Sequence, residues 1–196
     1  MSPLILLVIV IALALFLMQI FNRLVTLKNQ YLNSFSQIKV QLKRRYDLIP
    51  SLVEVAKGYL KHEHETLESV VYARNNAVQA LQKVQNNLTS VSAVEELAQA
   101  NQELTSSLGK LNFVVEAYPE LKANENMIRL HEEIATTENR IAFARQAYND
   151  AVMEYNIYKQ MFPQNFLAAN FGHVENAVLL EFEDENVIQE TPKFNF

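Results

Sequence analysis

The feature that most constrains this chain is its first stretch, because no charged residue occurs from Leu4 to Phe21. A helix of about 18 residues spans roughly 27 Å, close to the hydrocarbon thickness of a bilayer. The stretch has no polar face, which a core helix would show. No basic residue precedes it, and the triplet Ala12–Ala14 lies mid-run, which argues against a cleaved signal peptide. The sequence therefore predicts a transmembrane anchor over residues 1–22, in contact with membrane lipid through residues 4–21.

The charges that flank the anchor predict its orientation. Arg23, Lys28 and Lys39 follow the apolar stretch, and nothing basic precedes it. By the positive-inside rule, the body of this single-pass protein is expected to stay in the cytoplasm.

The pattern beyond the anchor is helical, with apolar residues at steps of three and four. Such spacing is typical of coiled coils and of bundles whose helices cross at shallow angles. Pro50 is expected to kink or break the first helix, and Ser92 with Glu95 forms a capping-box pattern at the start of the third. The expected helices cover residues 23–58, 65–87, 93–117 and 126–162, with a short one at 165–171.

The sequence therefore predicts an all-α protein, in which the transmembrane helix continues into an antiparallel up-down-up-down bundle over residues 23–173. Because the first and fourth helices are the longest, we expect them to form a two-helix stalk near the membrane. The short helix packs on this stalk or lies at the bilayer surface. Residues 174–196 hold six acidic residues against one lysine and are expected to form an irregular acidic tail.

Composition excludes several kinds of chemistry. The chain has no cysteine and only three glycines, which excludes thiol chemistry and argues against phosphate-binding loops. Outside the tail the charges balance, so nucleic-acid binding is not expected. We interpret the cluster His62–Glu65 as a solvated turn and not as a metal site, because consecutive helical residues point in different directions. We predict no metal, no cofactor and no catalytic set.

Five charged residues remain as candidates for a functional site. Arg45 falls close to the apolar face of the first helix, and an interior ion pair with an acidic residue would set the register of the helices. A second polar patch interrupts the last long helix. The residues are either a ligand groove or a structural network: Arg45, Asp47, Glu138, Arg140 and Arg145.

Several motifs resemble one known family. They are QIKVQLKRRYDLIPSLVE (residues 37–54), HEHETLE (62–68), YPELKAN (118–124), TENRIAFAR (137–145), two Tyr-Asn pairs and the closing PKFNF. In this order they closely resemble the bacterial LemA family, of which the magnetosome protein MamQ is a related branch. The resemblance implies a single transmembrane helix, a helical bundle and a place in the bacterial cytoplasmic membrane. It implies no catalytic residues, and His64 stands where the family has a lysine.

Two functional hypotheses follow. The first is a membrane-tethered, non-catalytic bundle that acts as a scaffold or interaction module in envelope processes, with protein partners still to be named and self-association left open. The second is a ligand-binding sensor or an enzyme that uses the polar groove.

Overall fold

The anchor and the start of the body form one uninterrupted helix. The computed structural model describes residues 3–181, and its first helix, α1, runs Pro3–Lys57 over 55 residues. Among these residues, α1 alone is long and apolar enough to cross a membrane. Its first part is almost wholly exposed, whereas burial begins with Ile20 and Leu24. The candidate span and the bundle are therefore joined without a hinge loop.

Four further helices complete the body. α2 runs His64–Asn86, α3 runs Val91–Glu116, α4 runs Pro119–Lys122 and α5 runs Glu125–Gln160. Asn124 caps α5, because its side chain accepts hydrogen bonds from the backbone N–H groups of Asn126 and Met127. The predicted cap of α3 was wrong, since Ser90, and not Ser92, accepts a hydrogen bond from the Ala93 amide.

The long helices pack as an antiparallel bundle around one apolar core, which confirms the all-α prediction. α1 pairs most extensively with α5, α2 pairs with α3, and α2 also packs on α1. The core follows the predicted steps of three and four, as in the buried run on α1: Ile38, Leu42, Ile49, Leu52 and Ala56.

Below the α2–α3 hairpin, α1 and α5 continue together toward the anchor. Aromatic rings join them, with Tyr31 lying 5.2 Å from Tyr155 and Phe35 lying 5.7 Å from Tyr148 between centroids. Arg23, just beyond the C-terminal end of the anchor, forms an ion pair with Glu154. The lower part of α5 is therefore held beside α1 down to the end of the apolar stretch.

The chain then reverses direction beside the anchor. A four-residue helix, α6, runs Gln164–Leu167, shorter than the helix expected over residues 165–171, and Gly172 takes a positive φ of 80° that suits a glycine. Residues 173–181 return along α5 without helix or strand. The stalk therefore has a third element, here called the return segment, that the sequence did not predict. The remainder of the predicted acidic tail, 182–196, lies outside the described residues.

Candidate functional site

Three consecutive residues of α1 connect this helix to the three other long helices. Arg45, Tyr46 and Asp47 point in different directions because successive residues of a helix are about 100° apart. Their partners are Arg74 on α2, Asn101 and Thr105 on α3, and Glu138 on α5. We call these seven residues the polar layer.

Arg45 is the buried centre of the polar layer, with 4% of its surface exposed. Its Nη2 donates a hydrogen bond to the Thr105 hydroxyl at 3.0 Å and lies 3.4 Å from a Glu138 carboxylate oxygen. Within residues 3–181, its Nε is buried without a hydrogen-bond partner. A buried charge with one exposed carboxylate as its counter-ion fixes how α1, α3 and α5 meet, because any shift would leave the charge unpaired.

Tyr46 and Asn101 form a buried hydrogen bond across α1 and α3. The Tyr46 hydroxyl donates to Asn101 Oδ1 at 2.8 Å, and Asn101 Nδ2 donates to the Leu97 carbonyl at 2.8 Å. Burial raises the pKa of Tyr46 to about 12, although the Asn101 hydrogen bond and the nearby Arg45 charge each lower it somewhat. Tyr46 therefore stays neutral at physiological pH and serves as a hydrogen-bond donor.

Pro50 explains the position of Arg74. The helix continues through Pro50, so the predicted break does not occur, but proline has no N–H to donate to the carbonyl of Tyr46 four residues before it. Arg74 Nε fills this role and donates to the Tyr46 carbonyl at 3.1 Å, while its Nη2 lies 3.9 Å from Asp47. A backbone group that the proline leaves unpaired thus becomes the contact between α1 and α2.

The five residues predicted as a site do not form one groove. Buried Arg45 pairs with the exposed carboxylate of Glu138, whereas Asp47 pairs with Arg74. Arg140 is exposed on α5. Arg145 lines a separate shallow cavity of about 390 Å³ beside Phe143 and Asp150.

Four members of the polar layer were not among the predicted site residues, although the sequence carries a signal for two of them. Arg74 and Asn101 occupy positions in the apolar stripes of their helices, where a polar side chain needs a partner. Tyr46 and Thr105 gave no comparable signal. Within residues 3–181, no group of three or more His, Asp or Glu side chains is placed to hold a metal ion.

A second polar arrangement holds the return segment on α5. Asn156 Nδ2 donates to the Ala177 carbonyl at 2.8 Å, and its Oδ1 accepts from the Ala177 amide at 3.0 Å. Asn149 makes the same pair of bonds to Leu180, at 3.2 and 2.9 Å. The Tyr148 hydroxyl donates to the Val178 carbonyl at 2.8 Å. These contacts engage only the backbone of the return segment.

The spacing of the two asparagines matches the geometry of the segment they hold. Seven residues separate Asn149 from Asn156, which is roughly 10.5 Å along a helix. Three residues separate Ala177 from Leu180, which is roughly 10 Å along an extended chain. The two Tyr-Asn pairs therefore form a repeat matched to an extended segment, with Tyr155 packed inside and Asn156 facing the segment.

Two buried basic groups lie at the start of the return segment. Lys159 Nζ donates to the Val174 carbonyl at 2.9 Å, and His173 Nδ1 lies 2.9 Å from the Tyr155 hydroxyl. Burial lowers the pKa of Lys159, with Glu175 opposing the shift. Burial also lowers the pKa of His173, and the charges of Lys28 and Lys159 add to this effect. These side chains fasten the point where the chain reverses.

A cleft of about 1210 Å³ lies between the return segment and the start of α3. Its walls include Val94, Gln99 and Gln102 on α3 and Asn156 on α5. None of the five predicted residues lines it.

The comparison with known families decides what kind of protein this is. A model of the LemA family matches residues 34–196, which include the polar layer and both Tyr-Asn pairs. The chain belongs to the LemA family. The matched region begins on α1 beyond the apolar stretch, so the membership rests on the body and not on the anchor.

Individual relatives agree with the family match. A LemA protein of Metamycoplasma hominis is 28% identical over 171 residues, covering 87% of this chain and 73% of that protein. Magnetosome protein MamQ 2 of Paramagnetospirillum magneticum is 26% identical over 163 residues, covering 76% of this chain and 60% of its own length. MamQ of Magnetospirillum gryphiswaldense is 24% identical over 167 residues, with 78% and 61% covered. The chain thus spans about 60% of the length of these MamQ proteins.

The structure gives a physical account of the LemA-like motifs quoted above. RRYDLIP contains Arg45, Tyr46, Asp47 and Pro50, which connect α1 to its three neighbours. The two Tyr-Asn pairs hold the return segment. In this LemA-family chain, the first group connects the long helices to one another and the second holds the return segment on α5.

Proposed function

We propose that this chain is a membrane-tethered, non-catalytic scaffold that presents a rigid helical body to protein partners beside a bacterial cytoplasmic membrane. The observation that carries the proposal is the burial of Arg45 between helices. This candidate site residue contacts α3 and α5 from its position on α1, so its charge contributes to holding the three helices together.

The continuity of α1 supports the same proposal. A body that is joined to its span by one helix is held at a defined height above the bilayer. Arg23 and Lys28 lie directly after the apolar stretch, which favours a cytoplasmic body by the positive-inside rule. The bacterial relatives, including the magnetosome proteins named above, support a bacterial setting.

Exposed aromatic side chains on the body supply candidate docking points for protein partners. Phe113 on α3 and Phe143 on α5 are 78% and 74% exposed. Large aromatic side chains are enriched among the residues that contribute most to binding at protein interfaces. Coiled-coil-like self-association through such a surface is one form that the interaction takes under this proposal.

Site-specific photo-crosslinking in cells tests the scaffold proposal. A photoreactive phenylalanine analogue at position 113 or 143 of the full chain should give discrete protein adducts. The same analogue at the neighbouring exposed polar residues Asn112 and Gln146 should give fewer adducts. The proposal fails if neither aromatic position yields an adduct with another protein or with a second copy.

A ligand-binding sensor is the second candidate, favoured by the unpartnered Nε of buried Arg45. Two substitutions separate it from the scaffold. If the polar layer is structural, Arg45→Met changes the free energy of unfolding, and Arg140→Ala at an exposed position changes neither stability nor the adduct pattern. If both variants fold like wild type and abolish the same cellular phenotype, the polar residues serve a ligand.

A further inference from the structure

The reversal between α5 and the return segment lies at the level where the membrane span ends. Phe171 packs edge-on against Phe21, with ring centroids 5.4 Å apart. Phe21 is the last residue of the apolar stretch, and Arg23 follows two residues later. Because α5 runs antiparallel to α1 and ends at Gln160, its C-terminal end is placed where hydrocarbon gives way to headgroups.

Large apolar side chains are exposed at this reversal. Phe162 and Phe166 are 79% and 70% exposed, and their rings contact one another at 6.1 Å between centroids. Ile157 on α5 and Met161, the residue that follows α5, are also exposed. We call these four residues the apolar foot. Such a group of exposed apolar side chains marks a binding surface in proteins that fold in water.

The charge pattern of the reversal points to lipid as the occupant. From Gln160 to Gly172 there is no charged residue, although 20% of the chain is charged. The nearest one, Lys159, is buried and donates to the Val174 carbonyl, so it does not place a charge on this surface. The exposed polar groups of the reversal are amides such as Asn165 and Asn170, which hydrogen-bond to headgroups and water alike.

We propose that the apolar foot is a second membrane contact, which inserts Phe162 and Phe166 into the interfacial region of the bilayer that the anchor crosses. The apolar foot is continuous with the anchor through the Phe21–Phe171 contact, and aromatic rings favour the interface. The proposal rests on the membrane tethering in the proposed function and adds a site. The body then contacts the membrane at the base of both α1 and α5, which restrains its tilt.

Tryptophan fluorescence tests this proposal directly, because the chain contains no tryptophan. The full chain with Phe166→Trp is reconstituted into vesicles of phosphatidylcholine and phosphatidylglycerol, with or without bromine on the acyl chains. We expect about a twofold loss of emission with brominated lipid, because a ring at the interface lies close to the acyl chains. The matched control is Phe143→Trp, similarly exposed but on α5 and far from the anchor, and it should be quenched only by aqueous acrylamide.

Flotation of the same vesicles separates the two proposals. If the chain floats with the vesicles but brominated lipid does not quench the tryptophan at position 166, the apolar foot does not contact lipid, whereas the membrane tether is supported. If that tryptophan is shielded from acrylamide as well, protein covers the surface and the lipid assignment is again wrong. A chain that does not float refutes the tether and the apolar foot together. Circular dichroism confirms that each variant keeps its helices.

Discussion

The contact between Arg74 and the Tyr46 carbonyl predicts an unusual coupling between Arg74 and Pro50. Arg74→Ala removes a charged donor from a backbone acceptor that Pro50 leaves unpaired. A hydrogen bond to a charged group contributes about 1.5–3 kcal/mol. The ion pair with the largely exposed Asp47 adds at most about 1 kcal/mol. We therefore expect Arg74→Ala to lower the free energy of unfolding by about 2–3 kcal/mol.

The destabilisation caused by Arg74→Ala should be smaller when the residue at position 50 has a backbone N–H. In a Pro50→Ala background, the amide of residue 50 bonds to the Tyr46 carbonyl as in an ordinary helix turn, so Arg74 is no longer needed there. Pro50→Ala alone is expected to stabilise α1, because proline costs up to about 3 kcal/mol within a helix. The double-mutant cycle should give a coupling energy of about 1–2 kcal/mol, because the two residues share one acceptor.

Urea unfolding of the full chain in a mild detergent, followed by circular dichroism, measures this cycle. Lys83→Ala is the matched control, because Lys83 also lies on α2 and forms an ion pair, with Glu96, away from Pro50. Its effect should add to that of Pro50→Ala. If the Arg74 cycle is also additive within about 0.5 kcal/mol, the proline does not create the acceptor that Arg74 uses, and the reasoning is refuted.

Further predictions concern the buried tyrosine and the return segment. Tyr46→Phe should lower the free energy of unfolding by about 1–3 kcal/mol in the same urea assay, because a buried amide oxygen loses its donor, while Tyr72→Phe on the surface should change it little. Burial raises the pKa of Tyr46 to about 12, so the unfolded chain loses this proton at a lower pH than the folded chain does. The free energy of unfolding of the wild type should therefore fall from pH 10 to about 12 more steeply than that of Tyr46→Phe. Equal slopes for the two proteins would contradict this. Asn156→Ala should speed hydrogen exchange at the Ala177 amide more than at the Leu180 amide, and equal acceleration would mean that the segment detaches as a unit.

The helical architecture was predictable because buried apolar residues recur every three or four positions along a helix that has one face in the core. The apolar positions of α1, such as Ile38 and Leu42, are the ones that the core buries. The sequence offered Asn124 or Asn126 as the cap of α5, and the structure shows Asn124, whose side chain accepts hydrogen bonds from the backbone N–H groups two and three residues later. The cap of α3 was misassigned because Ser90 and Ser92 both precede a run of helix-forming residues.

The connections between helices were harder to predict, because many of them end on backbone atoms. The pattern of side chains in the sequence does not indicate that Arg74 binds the Tyr46 carbonyl. The return segment was missed for the same reason, since Asn149 and Asn156 bind backbone groups of Ala177 and Leu180. Of the predicted site, the approach of Arg45 to Glu138 is present in the structure, whereas Arg140 and Arg145 lie apart from it.

Because α1 is uninterrupted, any tilt of its apolar stretch moves the opposite end of the helix, at Lys57, by a larger distance. From Arg23 to Lys57 the helix extends about 51 Å beyond the apolar stretch. A change of about 10° in the tilt of the span, well within the range that transmembrane helices adopt, moves the Lys57 end sideways by roughly 9 Å. Under the proposed tethering, a change in membrane thickness that alters the tilt of the span would therefore move the loop between α1 and α2 sideways.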